Sequence, residues 1–354
     1  MRLFSKPTKK HLSGLSSTLF AGLLLSLASS SVLGANSNER SGRQQCDTVY
    51  EPSGITQLPD GRIIVVEDEK TRPFSILTLN DNMKISTEPL QTKSFFAKII
   101  ESKNIGALGD LEAVDVDDQG FVYAITSHSL TLSGKRSPIR EKLVRFKVEG
   151  NRRSAPGILT DLKKSMISIN EKLSAASKVF DNKDLNRLNI EGLSFDKTKE
   201  TLLIGLRSPV INGKAVIMVM KNPISSFENS ETPKFEDDPI YLDLDKGGIR
   251  AIAYDPKLNG YLIISRQEKK GEKFKLWLWN GVAGHAPQRI RIDDKYNLSK
   301  AEGITPIHHN GIERIMIAFD VGKKTKRKKG CYLFLTYDQL NIDPVLKGQI
   351  NKAK

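Results

Sequence analysis

The chain alternates short apolar runs with polar turns, and this pattern recurs about every fifty residues. Five unit starts align with one another: EPSGIT at 51–56, DLEAVD at 110–115, NIEGLS at 189–194, GIRAIA at 248–253 and AEGIT at 301–305. They share one small residue: Gly54, Ala113, Gly192, Ala251 and Gly303, with steps of 59, 79, 59 and 52 residues. Such a period, in which each start leads into a strand, a turn and a second strand, is typical of a propeller blade.

Each unit predicts up to four β-strands. The first two are joined by turns rich in Asp, Asn and Gly: LPDG, DDQG, DKTKE, DPKLNG and HHNGIE. The third strands are PFSILTL, KLVRFKV, KAVIMVMK, KLWLWN and CYLFLTY, and the fourth are KISTEPL, APGILTD, DPIYLDLD and RIRID. The fifth unit has no fourth strand of its own, and the segment around 46–50 is predicted to supply it. The expected fold is all-β, a single β-propeller of five blades, with six as the alternative.

Two insertions interrupt the strands, and both are predicted to be helical. The first runs from Thr92 to Ile105. The second, Asp161 to Phe180, spaces its apolar residues by three and four, as one face of a helix requires. Those residues are Leu162, Met166, Ile169, Leu173, Ala176 and Phe180. Asp161 suits the N-cap, and an insertion of about twenty residues explains the long step of 79.

Residues 1–34 have the pattern of an export signal. A basic start precedes the apolar run Leu19–Leu27, which is too short to span a bilayer, and Val32-Leu33-Gly34 provides a cleavage site. An uncleaved anchor is the alternative. Cleavage predicts a periplasmic or secreted protein whose net charge falls from +14 to +10. The remaining chain divides into a polar leader at 35–44, the propeller at 45–345 and a tail at 346–354. We expect it to be monomeric and without a membrane span.

Two cysteines lie at opposite ends of the predicted propeller. An even pair in an exported protein favours a disulfide, here Cys46–Cys331, which would lock the seam where the ring closes. Two buried free thiols are the alternative.

Charged residues from remote segments are predicted to converge at one end of the ring axis, the axial mouth. In an antiparallel blade, the start of the first strand and the end of the second lie at the same edge. The residues just before the aligned small residue are Ser53, Glu112, Glu191, Arg250 and Glu302. The residues at the ends of the second strands are Asp68, His128, Arg207, Arg266 and Asp320. Because charge on inner strands is costly unless paired or liganded, this ring predicts a functional site.

The residue types suggest roles within this ring. Arg207, Arg250 and Arg266 are predicted to bind an anionic group, with Glu191 and Ser53 beside them. Four carboxylates from adjacent blades are candidate ligands for calcium or magnesium: Glu112, Glu302, Asp68 and Asp320. His128 is the candidate proton carrier if hydrolysis occurs. The sequence also allows a purely structural interpretation, in which Glu191 and Arg250 form an ion pair between neighbouring blades.

Positive charge is concentrated on the predicted mouth face. The loops between second and third strands sum to +12, largely because of KKTKRKK at 323–329. Such a face attracts anions, and contact with an anionic surface is a further expectation, although a solvated hairpin tip would look the same. Specific nucleic-acid binding is not expected, because aromatic residues do not interleave with the charges. The sequence contains no G-x-S-x-G, Walker, H-E-x-x-H or C-x-x-C motif.

Several segments resemble the bacterial family catalogued as domain of unknown function 3616. They are TLLIGLRSPVINGKAVIMV, GGIRAIAYDP with LIISR and KLWLWNG, AEGIT, DLEAVDVDDQGFVYAITSHS and IEGLSFD. The resemblance covers most of residues 50–340 and implies an exported propeller, similar also to phytase-like and esterase-like propellers. Arg207 matches an L-R-x-P element, Arg250 a G-I-R element and Glu302 an A-E-G element.

The sequence thus predicts an exported propeller that binds a small anionic ligand, such as a phosphate ester, at the axial mouth. Hydrolysis of a phosphate ester, ester or lactone is one extension of this hypothesis. The alternative is a non-catalytic scaffold for protein interactions, since the fold alone does not fix function.

Overall fold

The twenty-one strands form five antiparallel sheets in this computed structural model, which describes residues 44–45, 49–68, 72–92, 105–179, 186–267, 273–322 and 329–342. Blade one contains β2 (Pro52–Gln57), β3 (Ile63–Glu67), β4 (Phe74–Leu79) and β5 (Ile85–Pro89). Blade two contains β7 (Leu111–Val116), β8 (Phe121–Thr126), β9 (Leu143–Glu149) and β10 (Arg152–Leu159), with β6 (Gln91–Thr92) added in parallel outside β10.

The next two blades repeat this order. Blade three contains β11 (Asn189–Asp196), β12 (Thr201–Ile211), β13 (Lys214–Met220) and β14 (Ile240–Leu242). Blade four contains β15 (Gly248–Asp255), β16 (Gly260–Arg266), β17 (Phe274–Trp279) and β18 (Gln288–Ile290). In both blades the first three strands are largely buried, because apolar Val, Ile and Leu side chains on the two sides of each sheet pack against the neighbouring blades.

Blade five draws its fourth strand from the other end of the chain. It contains β19 (Ala301–His309), β20 (Ile312–Phe319), β21 (Cys331–Leu335) and β1 (Gln44–Gln45). Gln45 pairs with Cys331 in antiparallel register. The predicted closure by the N-terminal segment is therefore confirmed, with a strand slightly earlier than the expected 46–50. Cys331 is buried, whereas Cys46 lies outside the described residues, so the disulfide stays a prediction.

The inner strands form a closed ring. β2 contacts β7, β7 contacts β11, β11 contacts β15, β15 contacts β19, and β19 returns to β2. The predicted five-bladed propeller is thus confirmed. Because β2 starts where β3 ends, and likewise in every blade, the inner-strand starts and second-strand ends share one face. This face contains the axial mouth.

The second insertion forms two short helices, α1 (Leu162–Ser168) and α2 (Glu171–Ala176), where one helix was predicted. The helix breaks because the Asn170 side chain accepts hydrogen bonds from the backbone N–H groups of Lys172 and Leu173 and so starts a new helix. Asp161 precedes α1, but its carboxylate makes no capping bond within the described chain. The apolar stripe of the two helices packs against blades two and three.

The described residues also form α3 (Pro223–Glu228), which the sequence analysis missed, and the 3-10 turns Pro138–Arg140 and Tyr337–Gln339. The predicted helix at Thr92–Ile105 falls mostly on residues 93–104, outside the described residues, as do the predicted signal and the C-terminal tail. Among the helices described here, none is long and apolar enough to cross a membrane.

Candidate functional site

Every inner strand contains a β-bulge at the same position. In blade one, Pro52 and Gly54 pair with the consecutive residues Glu67 and Val66, so Ser53 is left without a partner in the ladder. The five extra residues are Ser53, Glu112, Glu191, Arg250 and Glu302. A bulge redirects its extra side chain relative to the strand. The five inner-strand members of the ring predicted from the sequence therefore occupy equivalent bulge positions around one axis.

The small residue after each bulge allows the inner strands to approach closely. A Cβ atom on Gly54 would lie 2.9 Å from Ala113 Cα, and one on Gly303 would lie 3.3 Å from Gly54 Cα. The space enclosed among these inner strands is only about 10 Å³, roughly one water molecule. A ligand at the axis would therefore lie on the mouth and not inside the channel.

Arg250 joins three consecutive blades. Its Nη1 lies 2.6 Å from Glu191 Oε2 on blade three, and its Nη2 forms an ion pair with Glu302 Oε1 on blade five. Glu191 also accepts hydrogen bonds from Arg207 Nη1 at 2.8 Å and from Asn189 Nδ2 at 2.9 Å. The Arg250 and Glu191 side chains are only 6% and 3% exposed. The inter-blade ion pair that the sequence allowed is therefore present.

Burial and neighbouring charges shift the pKa values of the ionisable residues at the axial mouth. Burial disfavours the Arg250 guanidinium, but the Glu191 and Glu302 carboxylates outweigh it and raise the pKa of Arg250. Burial raises the pKa of Glu302 to about 7, even though Arg250 opposes that rise. Desolvation, followed by the charges of Glu191 and Asp110, raises the pKa of Glu112 well above its usual range. The mouth therefore holds carboxyl groups that release their protons at higher pH than ordinary carboxyl groups do.

Arg187 belongs to this site, although the sequence analysis did not single it out. It lies two residues before β11, is partly buried, and interacts electrostatically with Arg207, Asp110, Glu191 and Glu112. Burial, followed by the charge of Arg207, lowers the pKa of Arg187. Among the described residues its guanidinium has no hydrogen-bond or ion-pair partner. Its position just before an inner strand is the signal that could have identified it.

Asp110 organises the mouth side of blade two, and the sequence analysis also missed this residue. Its backbone N–H donates to Asp68 Oδ1 at 3.0 Å, and its carboxylate pairs with Arg140 Nη1 at 3.0 Å and accepts from Ser129 Oγ at 3.2 Å. Desolvation and the neighbouring Asp110 carboxylate raise the pKa of Asp68 to about 6. Asp68 therefore belongs to a local hydrogen-bonded cluster.

His128 is buried completely and has a left-handed backbone with φ of 56°. Its Nδ1 lies 2.8 Å from the Thr126 carbonyl oxygen, and its Nε2 has no hydrogen-bond partner within the described structure. Burial lowers the pKa of His128 to about 4. The imidazole is therefore neutral near pH 7, and its role as a proton carrier stays a prediction.

The remaining predicted residues lie around the same face. Arg266 ends β16 and lies over the Phe274 ring at 5.5 Å. Asp320 follows β20, and its charge acts on Glu302. The Ser53 hydroxyl lies 3.5 Å from the Glu51 carbonyl oxygen. Within the described residues, no group of three or more His, Cys, Asp or Glu side chains is arranged to hold a metal ion. Calcium or magnesium binding is therefore still only a prediction.

Comparisons with known proteins agree with the predicted resemblance over part of the chain. The family model described as Protein of unknown function (DUF3616) matches residues 179–334. This segment contains Arg187, Glu191, Arg207, Arg250 and Glu302. No curated protein matches the chain.

Solved structures that resemble the chain do so at low sequence identity. A putative oxidoreductase (glucose dehydrogenase) from Thermus thermophilus is 12% identical, with a TM-score of 0.41 and coverage of 83% of this chain and 99% of that one. The allergen Mala s 1 of Malassezia sympodialis is 12% identical, with a TM-score of 0.43 and coverage of 82% and 78%. Hydrazine synthase from Kuenenia stuttgartiensis is 10% identical, with a TM-score of 0.37 and coverage of 82% and 88%.

Proposed function

We propose that this propeller binds a small anionic ligand, of the phosphate ester class, at the axial mouth. The observation that supports this most directly is the partly buried guanidinium of Arg187. It interacts electrostatically with Arg207, Glu191 and Glu112 at the mouth and has no hydrogen-bond or ion-pair partner among the described residues. A guanidinium in a partly desolvated site presents a planar fork of donors that suits phosphate or carboxylate oxygens.

The neighbouring groups prepare the mouth for an anion. Glu191 fixes Arg207 through a 2.8 Å hydrogen bond, which restricts the rotamers of this side chain before a ligand arrives. Arg250 neutralises Glu191 and Glu302, which would otherwise repel an anion. Arg266 on the same face would add to the attraction at longer range, and the Ser53 hydroxyl would offer a further hydrogen bond.

Glu112 is the group best suited to proton transfer in this proposal. Desolvation, followed by the charges of Glu191 and Asp110, raises the pKa of Glu112 well above its usual range. In its protonated form the carboxyl would donate a hydrogen bond to a ligand oxygen or a proton to the leaving oxygen of an ester. The buried His128 is less suited to contact a ligand at the mouth. Hydrolysis of phenyl phosphate tests this extension: water would attack the phosphorus, and Glu112 would protonate the departing oxygen, so that phenol and inorganic phosphate are released. We expect this activity to be lost in Glu112→Gln and retained in His128→Asn.

The binding proposal is tested by isothermal titration with inorganic phosphate and phenyl phosphate at low ionic strength. We expect Arg187→Ala and Arg207→Ala each to weaken binding by about tenfold or more, because each removes a charge-assisted hydrogen bond. Arg314→Ala is the matched control, since Arg314 lies near the start of β20, toward the opposite face. Unchanged binding in both mouth variants would refute the proposal.

Two further expectations have separate tests. Elemental analysis of dialysed protein would detect the predicted calcium or magnesium, and chelation would then lower the melting temperature. Fractionation of producing cells would show whether residues 1–34 direct export. If neither anions nor metals stabilise the protein while a stable protein partner co-purifies, the scaffold alternative is favoured.

A further inference from the structure

A second cleft of about 620 Å³ lies beside the helix pair, apart from the axial mouth. It opens to solvent and is lined by residues at the junction of α1 and α2, at the tip of the hairpin between β12 and β13, and on β14. None of the bulge residues lines it, and neither do Asp68, His128, Arg207, Arg266 or Asp320. Its volume falls within the usual range for small-molecule sites, about 300–1,000 Å³.

Two features of the chain create this cleft. Strand β12 is eleven residues long, and its hairpin turns at Asn212 and Gly213, with φ of 52° and 77°. The long hairpin brings β12 against α2. On the other side, the helix break at Asn170 leaves Ile169 at the junction. The cleft is therefore built from elements that are distant in sequence and held by the core.

The floor of the cleft is apolar. Ile211 is only 6% exposed and belongs to the core cluster that also contains Leu173 and Leu206. Ile169 and Tyr241 pack against the same cluster and remain partly accessible. A ligand ring that covered these three side chains would remove apolar surface from water without requiring the floor to reorganise.

The rim of the cleft carries two ammonium groups. The Lys214 ammonium has no hydrogen bond or ion pair among the described residues. Lys172 Nζ reaches Asn212 Oδ1 only at 3.5 Å, the outer limit of a hydrogen bond. Glu171 is the single carboxylate of the lining, so the cleft has a net charge of +1.

We propose that this cleft binds a compact aromatic carboxylate. The ring would lie on Ile169, Ile211 and Tyr241, and the carboxylate would lie between Lys172 and Lys214. This site is independent of the function proposed for the axial mouth, because the two sets of residues do not overlap.

The test is a titration of the full chain, labelled at isoleucine methyl groups, with 2-naphthoate. We expect saturable binding with a Kd of about 0.1–1 mM and shifts of the Ile169 and Ile211 methyl signals. The Ile315 methyl group, buried in blade five, should not move. The uncharged analogue 2-naphthamide should bind at least about fivefold more weakly, because it lacks the charge that the lysines recognise.

Variants locate the site. Lys172→Gln combined with Lys214→Gln should weaken 2-naphthoate binding by about fivefold or more, whereas Lys178→Gln, on the exposed end beyond α2, should leave it unchanged. Arg187→Ala should also leave it unchanged, which separates this proposal from that for the mouth. The proposed cleft site would be overturned by any of three results. These are equal affinity for 2-naphthoate and 2-naphthamide, unmoved Ile169 and Ile211 signals, and loss of 2-naphthoate binding in Arg187→Ala.

Discussion

Arg250 and Glu191 form an ion pair at 2.6 Å between neighbouring inner strands, beside the propeller axis. Both side chains are almost fully buried, and Arg250 forms a second ion pair with Glu302 on the blade beyond. One guanidinium therefore compensates two buried carboxylates. The charged residues at the mouth therefore hold neighbouring blades together and also form a candidate binding site.

Loss of this guanidinium should destabilise the fold. In Arg250→Met two buried carboxylates lose their counter-charge, so we expect the free energy of unfolding to fall by about 3–5 kcal/mol. Urea unfolding followed by tryptophan fluorescence measures this. Arg314→Met is the control and should change stability by less than about 0.5 kcal/mol. The triple variant Arg250→Met, Glu191→Gln, Glu302→Gln should recover much of the loss, and a single variant as stable as the parent would contradict the argument.

Anion binding at the mouth should be coupled to proton uptake. With a pKa of about 7, Glu302 is ionised in roughly half of the molecules at pH 7. A bound anion disfavours the carboxylate, so protons are taken up and affinity falls as pH rises above 7. Titration with sulfate, which does not itself titrate in this range, in two buffers of different ionisation enthalpy measures the uptake. Glu302→Gln should reduce it, and an uptake equal to that of the parent would exclude Glu302 as the source.

His128 should make the fold sensitive to acid. Because its pKa is lowered from 6.5 to about 4, its stabilising contribution is complete above pH 6.5 and is lost as pH falls toward 4. The expected loss is about 3 kcal/mol. In His128→Asn, which tolerates the positive φ, the free energy of unfolding should depend less on pH in this window. His308→Gln, an exposed histidine, is the control, and an identical slope in His128→Asn would refute the assignment.

A larger residue at one of the five aligned small positions, such as Gly54, should destabilise the fold. In Gly54→Ala the new Cβ would lie 2.9 Å from Ala113 Cα, a backbone atom that cannot move without shifting a strand. We expect a loss of about 1–3 kcal/mol in unfolding free energy. In the control Gly109→Ala the obstructing atom is the Ile139 Cδ1 at 2.9 Å, which can rotate away. Equal losses in the two variants would argue against close strand approach as the reason for the small residues.

The seam of the ring should be covalently closed. Non-reducing peptide mapping of exported protein is expected to recover a peptide in which Cys46 is linked to Cys331. The bond would close a loop of about 285 residues and stabilise the fold by a few kcal/mol in the chain-entropy model. Reduction, or Cys331→Ser, should therefore lower the melting temperature, and two alkylatable thiols in the unreduced protein would show the bond to be absent.

Local patterns were sufficient to predict the blades and the ring. Each inner strand repeats a small residue after a polar one, and antiparallel pairing fixes which strand ends meet, so the convergence of Glu112, Glu191, Arg250 and Glu302 follows from topology. The closure of the ring was predictable for a similar reason. The fifth unit lacked a fourth strand, so the free edge of its third strand had to pair with a strand from elsewhere in the chain.

Features that depend on three-dimensional packing escaped the sequence analysis. The stripe from Leu162 to Phe180 fits one helix, yet the capping bonds of Asn170 begin a second. Arg187 lies outside the aligned unit start of its blade, and Asp110 begins its own unit start without repeating a residue type found there in every blade. Their roles depend on neighbours brought close by folding. The partners of Arg250 could not be decided either, since the sequence supported both ion pairing and ligand binding.

The five bulges also bear on how this protein could diversify. The extra residue of a bulge has no partner in the strand ladder, so it does not follow the alternation of side chains between the two faces of the sheet. Its residue type can therefore change while the strand on either side keeps its pairing register. Blade one already holds serine at this position, three blades hold glutamate and one holds arginine. Matched substitutions at these five points, which keep the buried charges balanced, would let related chains present new combinations of charge and hydroxyl groups on the same scaffold.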